Sequence, residues 1–318
     1  MATRIAWLLN FDADLELRDP VGYRATTYDV ERMRALLAQT VDLVAADDLL
    51  LDASCTSPET LRAALSAAAV DSQSSHRPAA AELTVQAFCP TPNALGRIAR
   101  LGLAAPAAPG IDVLRRVNDR GFCAELGHGL AHASFVRDMA SLERHIQAGA
   151  PGTTYVIKRA FSFAGREQRR VQHAVLDAST RGFCLRSLAR GEGLQVEPWV
   201  ERLADFGKHA YLTRRGELLT AAAREQRCDA MGRFVGMSSQ PPQLSAAEDE
   251  LLHSEVTKTA AALVAAGYCG PFGIDAFRYR RSDAALAFNP RCEINARFTM
   301  GYPRSLLLAG LASESRSG

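Results

Sequence analysis

The chain's 318 residues, 47 % hydrophobic and 23 % charged, are those of an ordinary globular protein with room for two or three subdomains and a substantial core. A formal net charge of +2 gives no reason to expect nucleic acid or an anionic membrane as a partner. The seven cysteines are scattered, odd in number and never in a CxxC pair, which favours reduced thiols in a cytoplasmic protein over a disulfide framework or a zinc knuckle.

The short apolar run before Asn10 is ended by Asp12 and Asp14, too early for the core of a signal peptide, and no run approaches the length of a membrane span. Residues 4–10 are predicted as a buried strand, Tyr28 to Gln39 as an amphipathic helix behind a cap at Thr27, and Val41 to Ala45 as a second strand. Pro58 to Ala69 is predicted as a helix and Leu83 to Phe88 as a third strand, with the Ser-rich stretch Asp71 to Ser75 as a loop. Strands alternating with helices imply a small parallel α/β unit, and the Ala-, Pro- and Gly-rich segment Leu101 to Ile111 is its exit linker. Further on, Asn118-Asp119-Arg120 caps and opens a helix, Met139 to Ala148 is another, and Thr154 to Ala160 is a strand followed by the loop Phe161 to Arg166. A helix is expected near Arg169 to Thr180. Leu194 to Val200 is expected to start a third region of antiparallel strands, interrupted by a long helix from Ser245 to Ala266, and residues 313–318 to be a frayed tail.

The chemistry concentrates near the C-terminus. In Pro290 to Arg297 the side chains of Arg291, Glu293, Asn295 and Arg297 alternate with those of Cys292, Ile294 and Ala296, so that the polar four share one face of a strand. Such a face cannot enter an apolar core without partners. It is either a solvated edge or a grip on a metal-bound polyphosphate. Gly270 to Phe277 also reads as a strand, with Asp275 where it could meet Glu293. Mg²⁺ takes one or two carboxylates together with phosphate oxygens, so Asp275, Glu293 and Asn295 form the candidate metal set; the plainer alternative is a structural polar cluster. Only three lysines occur in this Arg-rich chain, Lys158, Lys208 and Lys258, which singles out Lys158 at the end of its strand.

Several motifs mislead or are absent. Val156-Ile157-Lys158 and Asp205-Phe206-Gly207 spell fragments of a protein kinase, but no His-Arg-Asp loop separates them and the glycine-bearing loop follows the lysine. There is no Walker loop and no GxGxxG after a strand. His128 and His132 are four apart without a carboxylate helper, so a solvated or packed pair outweighs a metal role.

Taken in order, Lys158, the small-residue loop after it, Glu197-Pro198-Trp199-Val200, Gly273-Ile274-Asp275 and Glu293-Ile294-Asn295-Ala296-Arg297 resemble the ATP-grasp superfamily, in particular its carboxylate–amine ligases. The resemblance covers residues 90–310. It implies an α/β fold, α+β in its C-terminal part, in which a parallel α/β unit (1–110) precedes a two-subdomain grasp with antiparallel sheets. The central subdomain (111–196) would carry the phosphate-binding lysine and loop, the C-terminal one (197–312) the metal site, and residues 313–318 a tail. Carried over residue by residue, Lys158 would reach the α and β phosphates of ATP, and Arg120 would stand where many relatives have a first phosphate-binding lysine. The loop with Ser162, Ala164 and Gly165 would close over the phosphates. Glu197 would accept from the adenine amino group while the backbone of Trp199 and Val200 meets the ring edge. Glu201 and Asp205 compete for the ribose, and Arg224 would touch the γ-phosphate. Asp275, Glu293 and Asn295 would hold two Mg²⁺ ions, and Arg297 would face the transferred phosphoryl group or the substrate carboxylate.

The resemblance thus implies an ATP-dependent enzyme joining a small-molecule or peptide carboxylate to an amine through an acyl phosphate, with a homodimer as a plausible assembly. The alternatives are a phosphotransferase on the same scaffold and a nucleotide-binding relative without catalysis. Phe298, Met300, Tyr302 and Arg304, which follow the metal strand, either line the acceptor pocket or pack.

Overall fold

A computed structural model describes residues 4–52, 55–63, 83–127, 129–162, 167–172, 176–229 and 234–316. The N-terminal part contains β1 (Ile5–Leu8), α1 (Ala13–Arg18), α2 (Thr27–Leu36) with a 3-10 turn (Leu37–Gln39), β2 (Leu49–Leu50), the helical residues 58–63 (α3), β3 (Thr84–Ala87) and α4 (Pro92–Arg100). Both β2 and β3 run parallel to the central β1. The strand expected at 41–45 is instead a pair of turns, because the amides of Leu43 and Val44 both donate back to Thr40 and drop Leu43 into the core. Asp48 fixes the alternative pairing: its carboxylate accepts from the amides of Ile5 and Ala45 and from the Trp7 indole at 2.9–3.0 Å. The stretch 71–75 and the second half of the helix expected over 58–69 lie outside the described residues.

The second part comprises α5 (Ile111–Asn118), α6 (Arg120–Glu125), β4 (Ser134–Val136), α7 (Met139–Gln147), β5 (Thr154–Arg159), β6 (Gln168–Gln172), α8 (Ala178–Leu188) and β7 (Leu194–Pro198). Its antiparallel sheet has the order β4-β7-β5-β6, and Leu142, Ile146, Phe183 and Cys184 of α7 and α8 pack on Tyr155, Ile157 and Val196. Two expectations are corrected. Residues 168–172 return as a strand against β5, and the helix waits until Ala178, where the Asp177 side chain accepts from the Thr180 amide at 2.6 Å. β7, expected to open the third region, closes this sheet instead by pairing with β5 and β4.

The third part contains β8 (Glu201–Leu212), β9 (Leu218–Thr220), β10 (Arg224–Cys228), β11 (Phe234–Met237), α9 (Ala246–Ala265), β12 (Gly270–Arg280), β13 (Leu286–Asn295) and α10 (Arg304–Ser315). Its antiparallel sheet runs β11-β10-β8-β12-β13, with β9 beside β8. One face is apolar: Phe206, Phe272, Ile274 and Ile294 pack under Leu252, Val256 and Leu263 of α9. The intervening residues point the other way, which is what makes that face available for a site. Alternation breaks between β12 and β13. Asp275 opposes Glu293 and Phe277 opposes Asn289, so three residues of β13 answer one of β12. In this bulge Arg291 turns toward α9, donating to Glu255 at 2.8 Å and to the carbonyls of Cys123 and Gly127, so it does not share the face of Glu293. The expected tail is partly helical, since α10 extends to Ser315.

α9 begins with a capping box, Ser245 and Glu248 each accepting from the other's amide, and the guanidinium of Arg278 clasps Glu248 at 2.6 and 2.8 Å. These bonds, Arg278 first, hold the Glu248 carboxyl down to about 2 from the usual 4.5. A depressed pKa contributes stability above the ordinary value and loses it as the pH falls toward the folded one. Glu248→Gln is therefore expected to cost about 1–2 kcal/mol at pH 7, with its melting temperature converging on that of wild type between pH 4.5 and about 2. Parallel melting curves of constant separation over that window would remove the assignment. Among the described residues no helix is long and apolar enough to cross a membrane.

Candidate active site

A cleft of about 520 Å³ opens between the second and third sheets and is closed at one end by the N-terminal unit. On the second sheet Val156 faces Glu197 across β5 and β7, which makes Lys158 a diagonal neighbour of Glu197, and Lys158 Nζ donates to Glu197 Oε2 at 2.6 Å. Burial alone would raise the pKa of Glu197, but the Lys158 ammonium overrides it and holds the carboxyl below its ordinary value. Pro198, Trp199 and Val200 continue this wall. The Trp199 amide donates to Thr154 O at 2.7 Å, so it is not free for a ring edge as expected; the Trp199 carbonyl and Val200 are what remain for that role. The Trp199 ring is 41 % exposed and carries the Arg170 guanidinium at 3.4 Å from its centroid.

The opposite wall is the polar face of the third sheet. Asp275 and Glu293 stand directly opposite each other on β12 and β13, and Asn295 donates to Asp275 Oδ2 at 3.1 Å. From β10, Gln226 reaches Asp275 Oδ1 at 2.7 Å, crossing above Gly207. A Cβ at Gly207 would lie 2.6 Å from Gln226 Nε2, so only glycine leaves room for this bond. That accounts for the kinase-like triplet: Asp205 lines the cleft, Gly207 makes room for the Gln226 bond and Phe206 sits in the core. Burial, then the Glu293 charge, push the Asp275 carboxyl up to about 6. Between the walls, Arg120 at the start of α6 donates to Glu293 Oε1 at 2.7 Å, to Ser162 Oγ at 2.9 Å and to Arg159 O at 2.8 Å. It stands there because Asp119 caps α6 and the Arg120 amide is tied to Ala160 O.

Of the residues singled out in the sequence, Arg120, Lys158, Ser162, Glu197, Trp199, Val200, Asp205, Asp275, Glu293, Asn295 and Arg297 line this one cleft. Ala164, Gly165 and His128 lie outside the described residues. Between the rival ribose carboxylates, Asp205 lines the cleft, whereas Glu201 pairs with Arg280 at 3.2 Å and does not. Arg224 is not on the cleft wall; it pairs with Asp42 of the N-terminal unit at 3.0 Å. Of the four residues after the metal strand only Met300 reaches the cleft, while Phe298 and Tyr302 are core and Arg304 binds the buried Asp48.

Asp14, Gln226 and His209 are polar cleft residues that the sequence analysis did not single out. Asp14 follows β1 just as Phe88 follows β3, at the carboxyl ends of parallel strands where ligands bind in open α/β sheets; that rule could have found it. Gln226 and His209 sit on ordinary strands and carry no local signal.

No family model matches the sequence, and no curated protein matches it either. Solved structures do. The chain superposes on biotin carboxylase from Campylobacter jejuni in complex with β-γ-ATP, at 14 % identity and a TM-score of 0.51, covering 92 % of this chain and 65 % of that one. N5-carboxyaminoimidazole synthetase from Staphylococcus aureus with ADP is found at 11 % identity, a TM-score of 0.48 and coverage of 94 % and 71 %. D-alanyl-alanine synthetase A from Vibrio cholerae gives 13 %, 0.46, 70 % and 72 %. The three-part architecture and the likeness to biotin carboxylase agree with the motif order, and the chain has the ATP-grasp fold.

Proposed function

We propose that the protein is an ATP-dependent ligase that activates a carboxylate as an acyl phosphate and joins it to an amine. The observation carrying this is the pairing of opposed chemistries across one cleft: a buried Lys158–Glu197 pair on one wall, and Asp275, Glu293 and Asn295 on the other. Two facing carboxylates with an amide form an oxygen donor set, and Asp275, raised to about 6, has no cation of its own among the described residues, while Arg120 serves Glu293. Such a set fits a hard divalent ion. Asp275, Glu293 and Asn295 would hold Mg²⁺, which when bound neutralises polyphosphate charge.

The remaining work falls to the chain's own groups. Lys158 and Arg120 would bind the phosphates, one as a mobile point charge and the other as a fixed fork. Glu197 and the Trp199 carbonyl would accept from the adenine amine, Val200 would meet the ring edge, and Asp205 would take the ribose. A substrate carboxylate oxygen forms a bond to the γ-phosphorus as the bond to the β–γ bridging oxygen breaks and ADP leaves. The amine then adds to the acyl carbon, loses its proton and expels inorganic phosphate. Arg297 would hold the carboxylate, and exclusion of water from the cleft would keep it from hydrolysing the acyl phosphate. No side-chain nucleophile is needed, and the two thiols lining the cleft, Cys228 and Cys292, are held protonated by burial.

The test is a hydroxylamine-trapping screen of carboxylic acids with Mg·ATP. Hydroxamate and ADP formed together, both lost in Glu293→Gln, are the expected result. ADP release with a hydroxyl acceptor and no hydroxamate would replace this function with phosphotransfer; Mg·ATP binding without turnover on any acid would leave a binding protein.

A further inference from the structure

We infer that the acid activated in this cleft is a zwitterion with an apolar body, its carboxylate on Arg297, its ammonium on Asp14 and its side chain against Phe11, Leu36, Phe88 and Met300. This deepens the proposed ligase function and rests on it.

Arg297 follows the candidate metal ligand Asn295 by two residues, yet its fork is not left for an anion alone. Asp14 of α1 takes it at 2.7 and 3.3 Å, and the two side chains are only 10 % and 14 % exposed. Arg297 Nη1 also donates to Phe298 O at 3.2 Å. Each terminal nitrogen carries two hydrogens, so donors remain for a carboxylate beside the pair. A lone carboxylate arriving there meets attraction at Arg297 and repulsion at Asp14 almost equally. A carboxylate and an ammonium two bonds apart meet attraction at both, completing an alternating ring of charge in a poorly solvated place. A carboxylate held beside the ammonium also keeps it protonated, so it is no nucleophile toward its own acyl group. The amine that displaces phosphate therefore belongs to a second molecule.

The apolar body follows from what surrounds this pair. The Arg297 guanidinium lies 5.5 Å above the Phe88 ring, which packs edge-on against Phe11 at 4.9 Å, and Leu36 and Met300 belong to the same cluster. Ala35, Gln39, Thr299 and Gly301 continue the wall without a charge. Two acceptor-capable atoms here, Gln39 Oε1 and His209 Nδ1, are buried with no hydrogen-bond partner among the described residues, while His209 Nε2 is on Thr299 Oγ1 at 2.8 Å. Gln39 Oε1, an unpaired acceptor among the described residues, disfavours a second anion at this end and is relieved by an incoming N–H.

The experiment is calorimetric titration of the full chain with L-leucine and L-phenylalanine, with their des-amino counterparts 4-methylpentanoate and 3-phenylpropanoate, and with L-glutamate and L-lysine. Each titration is run with and without Mg²⁺ and a non-hydrolysable ATP analogue. An apolar amino acid is expected to bind at least tenfold more tightly than its des-amino counterpart and than either charged amino acid. In Asp14→Asn the ratio to the des-amino acid should fall toward one, whereas a mere clamp would lower the melting temperature and leave the ratio alone. Des-amino acids binding as well as amino acids, a charged amino acid binding best, or no zwitterion binding to a protein that takes up the nucleotide would each overturn the inference. If the nucleotide fails to bind, the ligase function falls, and the ratios measured without it still decide the zwitterion. If Asp14→Asn does not fold, the wild-type ratios decide alone.

Discussion

Asp275→Asn is expected to abolish Mg²⁺-dependent ATP binding and, at pH 8, to raise the melting temperature of the ligand-free protein. The loss of binding follows from its proposed place in the metal set, the stability gain from its ionisation: burial and the facing Glu293 lift the Asp275 pKa from 3.8 to about 6. An acid with a raised folded pKa binds its proton more tightly when folded, so its ionisation opposes folding. The stability of the ligand-free wild type should accordingly fall as the pH rises from about 4 to about 6 and stay level above that. At roughly 1.4 kcal/mol per pKa unit, the charge costs on the order of 3 kcal/mol at pH 8. Asparagine removes that cost but must keep two donors, Gln226 and Asn295, one of which has to turn its amide to accept. The net gain should then be about 1–2 kcal/mol, a few degrees at most. ATP at about a hundred times its dissociation constant should add about 2.7 kcal/mol to wild type and nothing to the variant. The check is thermal unfolding from pH 4 to pH 8 with and without Mg·ATP. A variant that keeps the nucleotide-dependent shift would take Asp275 out of the metal set. A variant less stable at pH 8 would make the carboxylate a structural element.

This trade of stability for binding explains which features were legible in the sequence. Asp275, Glu293 and Asn295 are polar residues at strand positions whose neighbours are apolar, and period two alone puts them on one face. Arg291 looked equivalent, and what moved it was the bulge over 290–292, which no local pattern announces. Residues 168–172 were misjudged for a similar reason: Gln, Arg, Arg, Val, Gln has one buried side chain, and only pairing with β5 makes it a strand. Across the N-terminal unit the missing information was ionic. Asp14, Asp42 and Asp48 each meet an arginine more than 180 residues away, Arg297, Arg224 and Arg304. These pairings take Arg224 from its expected place on the cleft wall and bring Asp14 to Arg297. Single residues on opposite ends of a chain carry no mutual signal until the fold brings them together.

Lys158→Ala is expected to destabilise the fold by about 3–5 kcal/mol as well as to abolish ATP binding, because it leaves Glu197 as an uncompensated buried charge. Glu197 is 5 % exposed, and among the described residues the only other side-chain donor to it is Gln195 at 3.5 Å. The reverse change should cost less. In Glu197→Gln the lysine keeps a long flexible stem that can carry its ammonium toward the cleft and water, whereas a glutamate on a central strand cannot move out. Lys158→Met combined with Glu197→Gln removes both charges and should recover most of the stability lost by the single lysine change. It should recover none of the affinity, since a thioether offers no point charge to a polyphosphate. Urea unfolding and nucleotide titration of the three variants separate the two roles. If the double variant binds Mg·ATP like wild type, the pair is only a strut between β5 and β7, and the phosphates must be met by Arg120 alone. If it is stable and fails to bind, the same ammonium that stabilises Glu197 in the empty cleft is the one the nucleotide requires. The Lys158–Glu197 contact then holds that charge at the phosphate site before ATP arrives, so binding proceeds without a search for the lysine's position.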